Sequence, residues 1–516
     1  MKWETVRWAR DLLAAEEGTY IKDWGGKLPV ALIYPNSYYV GMSSLGLHTL
    51  YWLLNRRSDV VAERVFWAAK QTPFSLESQQ GLQDFSVLGA SLSFELDLLN
   101  LVEMLRRAGL PVLAAERGEY APLVIVGGPV PTANPELLAP LIDAAFIGEA
   151  EAGFDRVVDL LVQTAGAPRE ERRRALGALP NVYVPDYSAS PVHRALLDDL
   201  DAFPTHSRVL TPETEFGDMY LIEISRGCGR GCRFCLAGYL YRPVRQRRVP
   251  ALLAQAEEGL RFRRTIGLVG AAISDYPDID DLLGRLRNLG ARVAVSSLRV
   301  HPLPESLLSA LAESGTQTLT LAPEAGSERL RRAISKGVTR EHVLAAAERA
   351  AQHGFAQLKL YFMIGLPGET DEDAAAIGDL TREVQTRFRR RITVHVTPFV
   401  PKPHTPFARL PMAPEGVLNA RSKLIVQSLR PAGVTVRIEG TAWARVQGVL
   451  ARGDRAVGHA LSRLSAPTMA GWRRMLRETG LDEAAYLGSR APAETVPWDV
   501  VEVCPIPASG PTVTWA

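Results

Sequence analysis

Cysteine is nearly absent, with four residues in a chain of 516. Four are too few to staple a chain of this size, so a disulfide framework is excluded and a reducing compartment fits better. An excess of one charge is missing too. Lys and Arg number 59 against 57 Asp and Glu, a formal net charge of +2, and nucleic-acid binding gets no support from overall charge. No apolar run approaches a bilayer span. The opening "MKWETVRWARDLLAAEEG" carries carboxylates where a secretory signal would need its apolar core, and the expected location is the cytoplasm. There is no internal repeat. What is present, 47% hydrophobic and 22% charged residues, is the composition of an ordinary enzyme with a large core. Its length predicts two to four domains.

Four stretches differ in pattern. In residues 1–165, "KLPVALIYP" (27–35), "FSVLGASLS" (85–93), "APLVIVGGP" (121–129) and "IDAAFIGEA" (142–150) read as buried parallel strands. Between them, "SSLGLHTLYWLLN" and "ELDLLNLVEMLRRAG" have helical spacing. This alternation predicts an α/β, doubly wound, Rossmann-like sheet with any ligand at the strands' carboxyl ends. Residues 166–218 read as a connector, whose "REERRR" run predicts a solvated helix face. From 219 to 412 a second series begins, with strands expected at 219–225, 265–270, 292–298, 315–321, 356–363 and 391–399. Six such units suit a partial (β/α)6 TIM barrel with its chemistry at the strand ends. Residues 413–516 form a small α+β section with a long helix (413–430), a strand "GVTVRIE" and a proline-rich tail.

Three of the four cysteines, Cys228, Cys232 and Cys235, lie in "SRGCGRGCRFCLAGY" (225–239), on the loop after the first strand of the second series. A structural zinc site needs four ligands, and Cys504 stands alone among prolines. Cysteines that merely pack would share one face of a helix or strand, not a glycine-rich loop. Three thiolates closing on one centre, with one position open, suit an iron–sulfur cluster that binds a substrate or cofactor. Gly227, Gly229 and Gly231 let the loop turn tightly and bring N–H groups toward the sulfides, and Phe234 can shield them from water.

CxxxCxΦC at this place resembles the signature of the radical S-adenosylmethionine (SAM) enzymes. That resemblance implies a [4Fe-4S] cluster whose fourth iron is chelated by SAM, and one-electron cleavage of SAM to a 5′-deoxyadenosyl radical. It also implies a low-potential electron donor such as flavodoxin or ferredoxin. Further stretches match in order. "LVGAAISDYP" (268–277) stands where the family has a glycine-rich motif, with Gly270-Ala271-Ala272 in place of Gly-Gly-Glu, so that contact to SAM is largely backbone. "VSSLRVHPLP" offers Ser297 and Arg299, "LAPEAGSERL" offers Glu324 for the ribose, and "YFMIGLPGET" places Gly365 and Leu366 by the adenine. Phe234 completes the implied SAM set.

The preceding sheet, with "GGPVPT" and "GEAE", makes the chain similar to the cobalamin-binding class of this superfamily. That likeness implies a corrinoid between the sheet's strand ends and the barrel mouth, met by Tyr39, Gly41, Met42, Ser91, Ser93, Gly127, Gly128, Pro129, Thr132, Gly148 and Glu149. No Asp-x-His-x-x-Gly motif is present and Val130 stands where some relatives carry histidine, so the cobalt is expected to have no protein histidine beneath it. His48 is expected to be a packed or surface residue. The activity implied is cobalamin-dependent methyl transfer to an unactivated carbon. The alternative is radical cyclisation, oxidation or rearrangement, with cobalamin assisting or absent. A non-catalytic corrinoid or iron–sulfur sensor would not need the SAM motifs. Methylthio transfer needs a second cluster, and no cysteine precedes Cys228. Tyr239, Tyr241, His395, Lys402 and His404 are pocket candidates. "YRPVRQRR" (241–248) and "RFRRR" (387–391) are candidate phosphate-binding runs for a nucleic acid or acidic substrate, or a solvated barrel rim.

Overall fold

The computed structural model describes residues 3–295 and 298–503; the expectations for Ser297 and Cys504 lie outside them. The first unit is a six-stranded sheet built from β1 (Leu28–Tyr34), β2 (Val60–Phe66), β3 (Val87–Ser91), β4 (Leu123–Gly127), β5 (Ala144–Phe146) and β6 (Val182–Tyr183). Its order is β2-β1-β3-β4-β5-β6, parallel except for the last pair. Helices Leu45–Asn55, Asp97–Arg107 and Phe154–Gln163 link the strands. This is the expected doubly wound sheet, buried on both faces.

β2 was not expected, because Glu63 and Arg64 interrupt its apolar pattern. Both are buried. Arg64 is held by Glu16 at 2.6 Å and Glu77 at 2.7 Å, and Glu63 accepts from the Trp24 indole at 2.7 Å. A paired charge can occupy a strand interior.

In the connector, helix Arg169–Gly177 carries the "REERRR" run, and its expected solvated face is half wrong. Arg169 and Arg172 are buried, and Arg169 reaches the fully buried Asp143 beside β5 at 2.5 Å.

The second unit has seven parallel strands: β7 (Met219–Glu223), β8 (Thr265–Val269), β9 (Arg292–Val295), β10 (Thr318–Glu324), β11 (Gln357–Ile364), β12 (Arg391–Pro398) and β13 (Thr435–Ile438). They pair as β7-β8-β9 and β10-β11-β12-β13, and a parallel bridge from Leu298 to Leu321 joins the two sets. The partial barrel thus gains a seventh strand from the C-terminal section. In β11, Leu358, Leu360, Phe362 and Ile364 are buried in the core shared with the outer helices. Their alternates, including Lys359, Tyr361 and Met363, form the half-buried inner face. Among the described residues no helix is long and apolar enough to cross a membrane.

Candidate functional site

The cysteine loop leaves β7 through a backbone that only glycine adopts easily. Gly227 has φ +89°, and a Cβ there would stand 2.4 Å from the Tyr241 carbonyl oxygen; Gly231 has φ +68°. The loop is pinned from outside. Arg233 N–H donates to the Ile334 carbonyl at 3.0 Å, and Phe407 N–H donates to the Arg233 carbonyl at 3.3 Å. Cys235 N–H donates to the Cys232 carbonyl at 3.1 Å, and the short helix Ala237–Leu240 follows.

All three cysteines are free thiols; Cys232 is buried and the others half-buried. Burial pushes the Cys232 thiol up. Lys336 and Arg299 pull it down, while Cys235 and Glu324 add to the rise. Burial also pushes Cys235 up, and the neighbouring Cys228 adds to it. Sulfurs close enough to raise one another need a shared cation to ionise together, which the irons of a cluster supply. Among the described residues no three His, Cys, Asp or Glu side chains are grouped to hold a single metal ion.

Most of the expected SAM residues gather here. Glu324 ends β10 in the left-handed region, φ +72°, and accepts from Lys336 Nζ at 2.8 Å. A strained non-glycine residue at a strand end marks a position held for its side chain. Arg299 lies 3.8 Å from Asp275, which also binds Arg230 of the cysteine loop at 2.8 Å. Phe234 and Leu366 share an apolar cluster with Phe399 and Phe407. Gly365, φ +78°, donates its N–H to Glu369, whose carboxyl burial pushes up to about 7 despite that bond and Arg421. Glu369 was not expected in the site; the "GET" of its motif was the available signal.

Between the two units lies a cavity of about 420 Å³. From the barrel it is walled by Ser225, Arg226, Gly227, Tyr241, Gly270 and Ala271, and from the sheet by Ser91, Ser93, Gly128, Pro129, Gly148 and Glu149. The strand ends of both units therefore face one space, with the cysteine loop on its wall. Ser44, Leu45, Gly46, Thr49 and Leu50, at the start of a helix, line it as well and were not expected. A second, almost wholly apolar pocket of about 70 Å³ shares Leu50, Gly128, Gly148 and Ala150 with it and runs along Gly89, Ile125 and Gly127 into the sheet. Gly128 (φ +103°) and Gly148 (φ +113°) have no room for a Cβ, which would lie 2.7 Å from the Leu92 carbonyl oxygen and 2.3 Å from that of Ala195. Thr132 ties their two loops, donating to the Gly128 carbonyl at 2.8 Å and accepting from Gly148 N–H at 3.1 Å.

Three expected corrinoid residues stand elsewhere. Tyr39 is exposed and bonds Glu215, Gly41 packs under Phe66, and Met42 is buried against Arg64. Glu149 lines the cavity but its carboxylate is spent on Arg245, at 2.7 Å, and Arg226, at 3.0 Å. Burial pushes it up, and these guanidiniums outweigh that and hold it low.

His48 is buried: Nε2 meets the Met42 carbonyl at 3.0 Å and Nδ1 accepts from Arg208 N–H at 3.1 Å. Among the described residues no histidine lines the cavity. Of the pocket candidates, Tyr241 lines it and burial pushes its hydroxyl up to about 12. Tyr239 bonds the Gly231 carbonyl at 3.2 Å under Arg242. His395 stacks on Tyr361 at 4.7 Å. His404 bonds the Ala133 carbonyl at 2.9 Å and Lys402 bonds Glu95 at 2.5 Å, so both tie the units together. In "YRPVRQRR", Arg245 and Arg247 are buried on Glu149 and Glu223 rather than offered to phosphate. "RFRRR" lies where β12 begins, at the end of the barrel away from the cysteine loop.

Comparisons with known proteins reach both units of the chain. Residues 46–185 match the model for the N-terminal region of radical SAM proteins, and residues 222–381 match that for the radical SAM superfamily. The chain is 30% identical over 443 residues to the uncharacterized protein MJ0966 of Methanocaldococcus jannaschii, covering 85% of this chain and 92% of that one. Its fold is similar to that of the radical SAM methyltransferase TsrM from Kitasatospora setae, solved with tryptophan and a SAM analogue (TM-score 0.50, 14% identity, 75% of this chain and 77% of that one). It is also similar to the cobalamin-dependent SAM radical enzyme OxsB with aqua-cobalamin and SAM bound (TM-score 0.50, 13% identity, 89% and 76%).

Proposed function

The chain belongs to the radical SAM superfamily, and on that premise we propose that it is a cobalamin-dependent methyltransferase acting on an unactivated carbon. As a radical SAM enzyme it uses a [4Fe-4S] cluster and SAM. The observation that carries the finer reading is the shared cavity, where cysteine loop, Gly270-Ala271 and the strand ends of the sheet face one another. Bound there, cluster and SAM supply one-electron cleavage of a sulfonium bond, and the corrinoid supplies a carrier for a methyl group.

The chain's residues do the rest. Cys228, Cys232 and Cys235 would hold the cluster by three thiolates and leave one coordination position for SAM. Lys336 fixes the Glu324 carboxylate for the ribose hydroxyls. Phe234, Leu366, Phe399 and Phe407 exclude water beside the loop. Gly127, where a Cβ would meet nothing within 4 Å, leaves the backbone open to a large planar ligand, Gly128 and Gly148 let their loops close onto Leu92 and Ala195, and the apolar pocket beneath suits the aromatic tail of a corrinoid. If a corrinoid were bound, His48 would not hold it, because both of its nitrogens are engaged elsewhere, and among the described residues no histidine lines the cavity. By their names TsrM is a radical SAM methyltransferase and OxsB a cobalamin-dependent SAM radical enzyme, and the fold of this chain is similar to both. A low-potential donor such as flavodoxin or ferredoxin is proposed as the electron source.

The test is anaerobic reconstitution with iron, sulfide and cobalamin, followed by mass spectrometry of the extracted cofactors and of products formed from SAM deuterated in its methyl group. Cobalamin retention, 5′-deoxyadenosine, S-adenosylhomocysteine and a labelled product are expected. 5′-Deoxyadenosine without S-adenosylhomocysteine would replace methyl transfer by a cyclisation, oxidation or rearrangement.

A further inference from the structure

A second interdomain cavity, of about 430 Å³, opens beside the first. The two adjoin through consecutive residues, since Ser93 lines the first and Phe94 the second. The sheet contributes Asn36, Phe94 and Asp97 from the loops after β1 and β3. The barrel side contributes Glu439, one residue beyond β13, and Trp443 and Gln447 from helix Thr441–Arg452. It lies where the seventh strand closes toward the sheet, at the opposite edge of the open barrel from β7. At this volume it matches the lower range of small-molecule sites.

Its chemistry has one sign. Among the described residues two carboxylates line it, and no lysine, arginine or histidine does. Asp97 is only 3% exposed, yet the one hydrogen-bond partner of its carboxylate among the described residues is the neutral Asn36 amide at 2.8 Å. Burial, with Glu95 nearby, pushes that carboxyl up to about 6 in spite of the Asn36 bond. The neighbouring Glu95 shows the contrast, being paired with Lys402 at 2.5 Å and Gln447 at 2.9 Å. Glu439 has no ion-pair partner among the described residues either. A buried carboxylate without a cation is costly unless a ligand brings one. Between the two acids stand Trp443 and the 43% exposed Phe94. Aromatic faces beside carboxylates attract an organic ammonium and the apolar body attached to it.

Resting on the function proposed above, we infer that this cavity receives the substrate, and that the substrate is a small organic amine, protonated at neutral pH, carrying a planar apolar body. Asp97 and Glu439 take the ammonium, and Trp443 and Phe94 take the body.

Saturation-transfer NMR and calorimetry on the full chain, using 2-phenylethylamine, n-butylamine and 3-phenylpropionate, test this. The aromatic amine binds best, butylamine more weakly, and the propionate, similar in shape but opposite in charge, not measurably. Asp97→Asn and Glu439→Gln each weaken the aromatic amine about tenfold. Trp443→Leu weakens it but leaves butylamine unchanged. Glu439 is exposed, so its variant folds even where the Asp97 change disturbs packing. Binding of the propionate as tightly as the amine, or an amine affinity indifferent to Glu439→Gln, overturns the inference. Iron content and SAM cleavage of the wild-type chain are measured alongside. Their loss with amine binding intact would fell the proposed function alone, and their presence without amine binding would fell this inference alone.

Discussion

Glu149, at the end of the fifth strand of the sheet, binds Arg226, two residues before the first loop cysteine, at 3.0 Å. The same carboxylate takes Arg245 at 2.7 Å, and Arg226 also reaches Glu151 and Glu223 at 2.9 and 2.8 Å. One buried network thus ties the cysteine loop to the neighbouring unit and joins the two walls of the cavity.

Glu149→Gln takes from the buried Arg245 its ion-pair partner among the described residues, and leaves Arg226 with Glu151 and Glu223 alone. Removing one partner of a buried pair costs about 3–5 kcal/mol. A lower denaturation midpoint and lower iron content after reconstitution are expected. Asp159→Asn, which breaks the more exposed pair with Arg57, should cost less than about 1 kcal/mol and serves as the comparison.

Glycine at 227 and 229 should differ in kind. At Gly227, φ is +89° and a Cβ meets the Tyr241 carbonyl oxygen at 2.4 Å; at Gly229 the nearest atom, of the Val244 side chain, is 3.6 Å away. Gly227→Ala should lose most of its iron, and Gly229→Ala should retain it. Iron and sulfide assays on both variants decide the matter.

Glu324→Gln keeps the size of the side chain and removes the charge that Lys336 holds in place. SAM affinity is expected to fall about tenfold, the worth of one charge-assisted hydrogen bond, with the cluster still assembled. Equilibrium binding of SAM measures it; an unchanged affinity would remove Glu324 from the site.

Acid should weaken the fold through its buried histidines. Burial lowers His48, His206 and His404 from 6.5 to about 4, so between these values the unfolded chain binds protons that the folded chain refuses. Their contribution is complete above pH 6.5 and is lost as pH falls toward 4. Asp97, raised to about 6, and Glu369, raised to about 7, act in the opposite sense and gain protons on folding, which offsets part of the loss. Urea unfolding at pH 7 and pH 5 should show a smaller loss of stability in His404→Gln than in the wild type.

Much of this architecture is legible in the chain itself. Apolar runs bounded by glycine and proline mark four of the sheet's strands and the barrel's first six, and the cysteine spacing stands out against a background almost free of thiols. What stays hidden depends on partners distant in sequence. β2 hides because Arg64 finds Glu16 and Glu77 only in the fold. Arg169, Arg245 and Arg247 read as surface charge until Asp143, Glu149 and Glu223 are brought to them. The cavity wall at Ser44, Leu45, Gly46, Thr49 and Leu50 hides for a related reason: a helix start shows in its pattern, but what it faces does not. Tyr39, Gly41 and Met42 lie close to that wall in sequence and turn away from it in space.

The most direct test is electron paramagnetic resonance of the anaerobically reconstituted, dithionite-reduced chain before and after SAM is added. A reduced [4Fe-4S] signal that shifts with SAM, and that disappears when Cys228, Cys232 and Cys235 are all replaced by alanine, is the predicted result. A cluster spectrum that survives the triple replacement, or one that SAM leaves unmoved, would contradict the account at its centre.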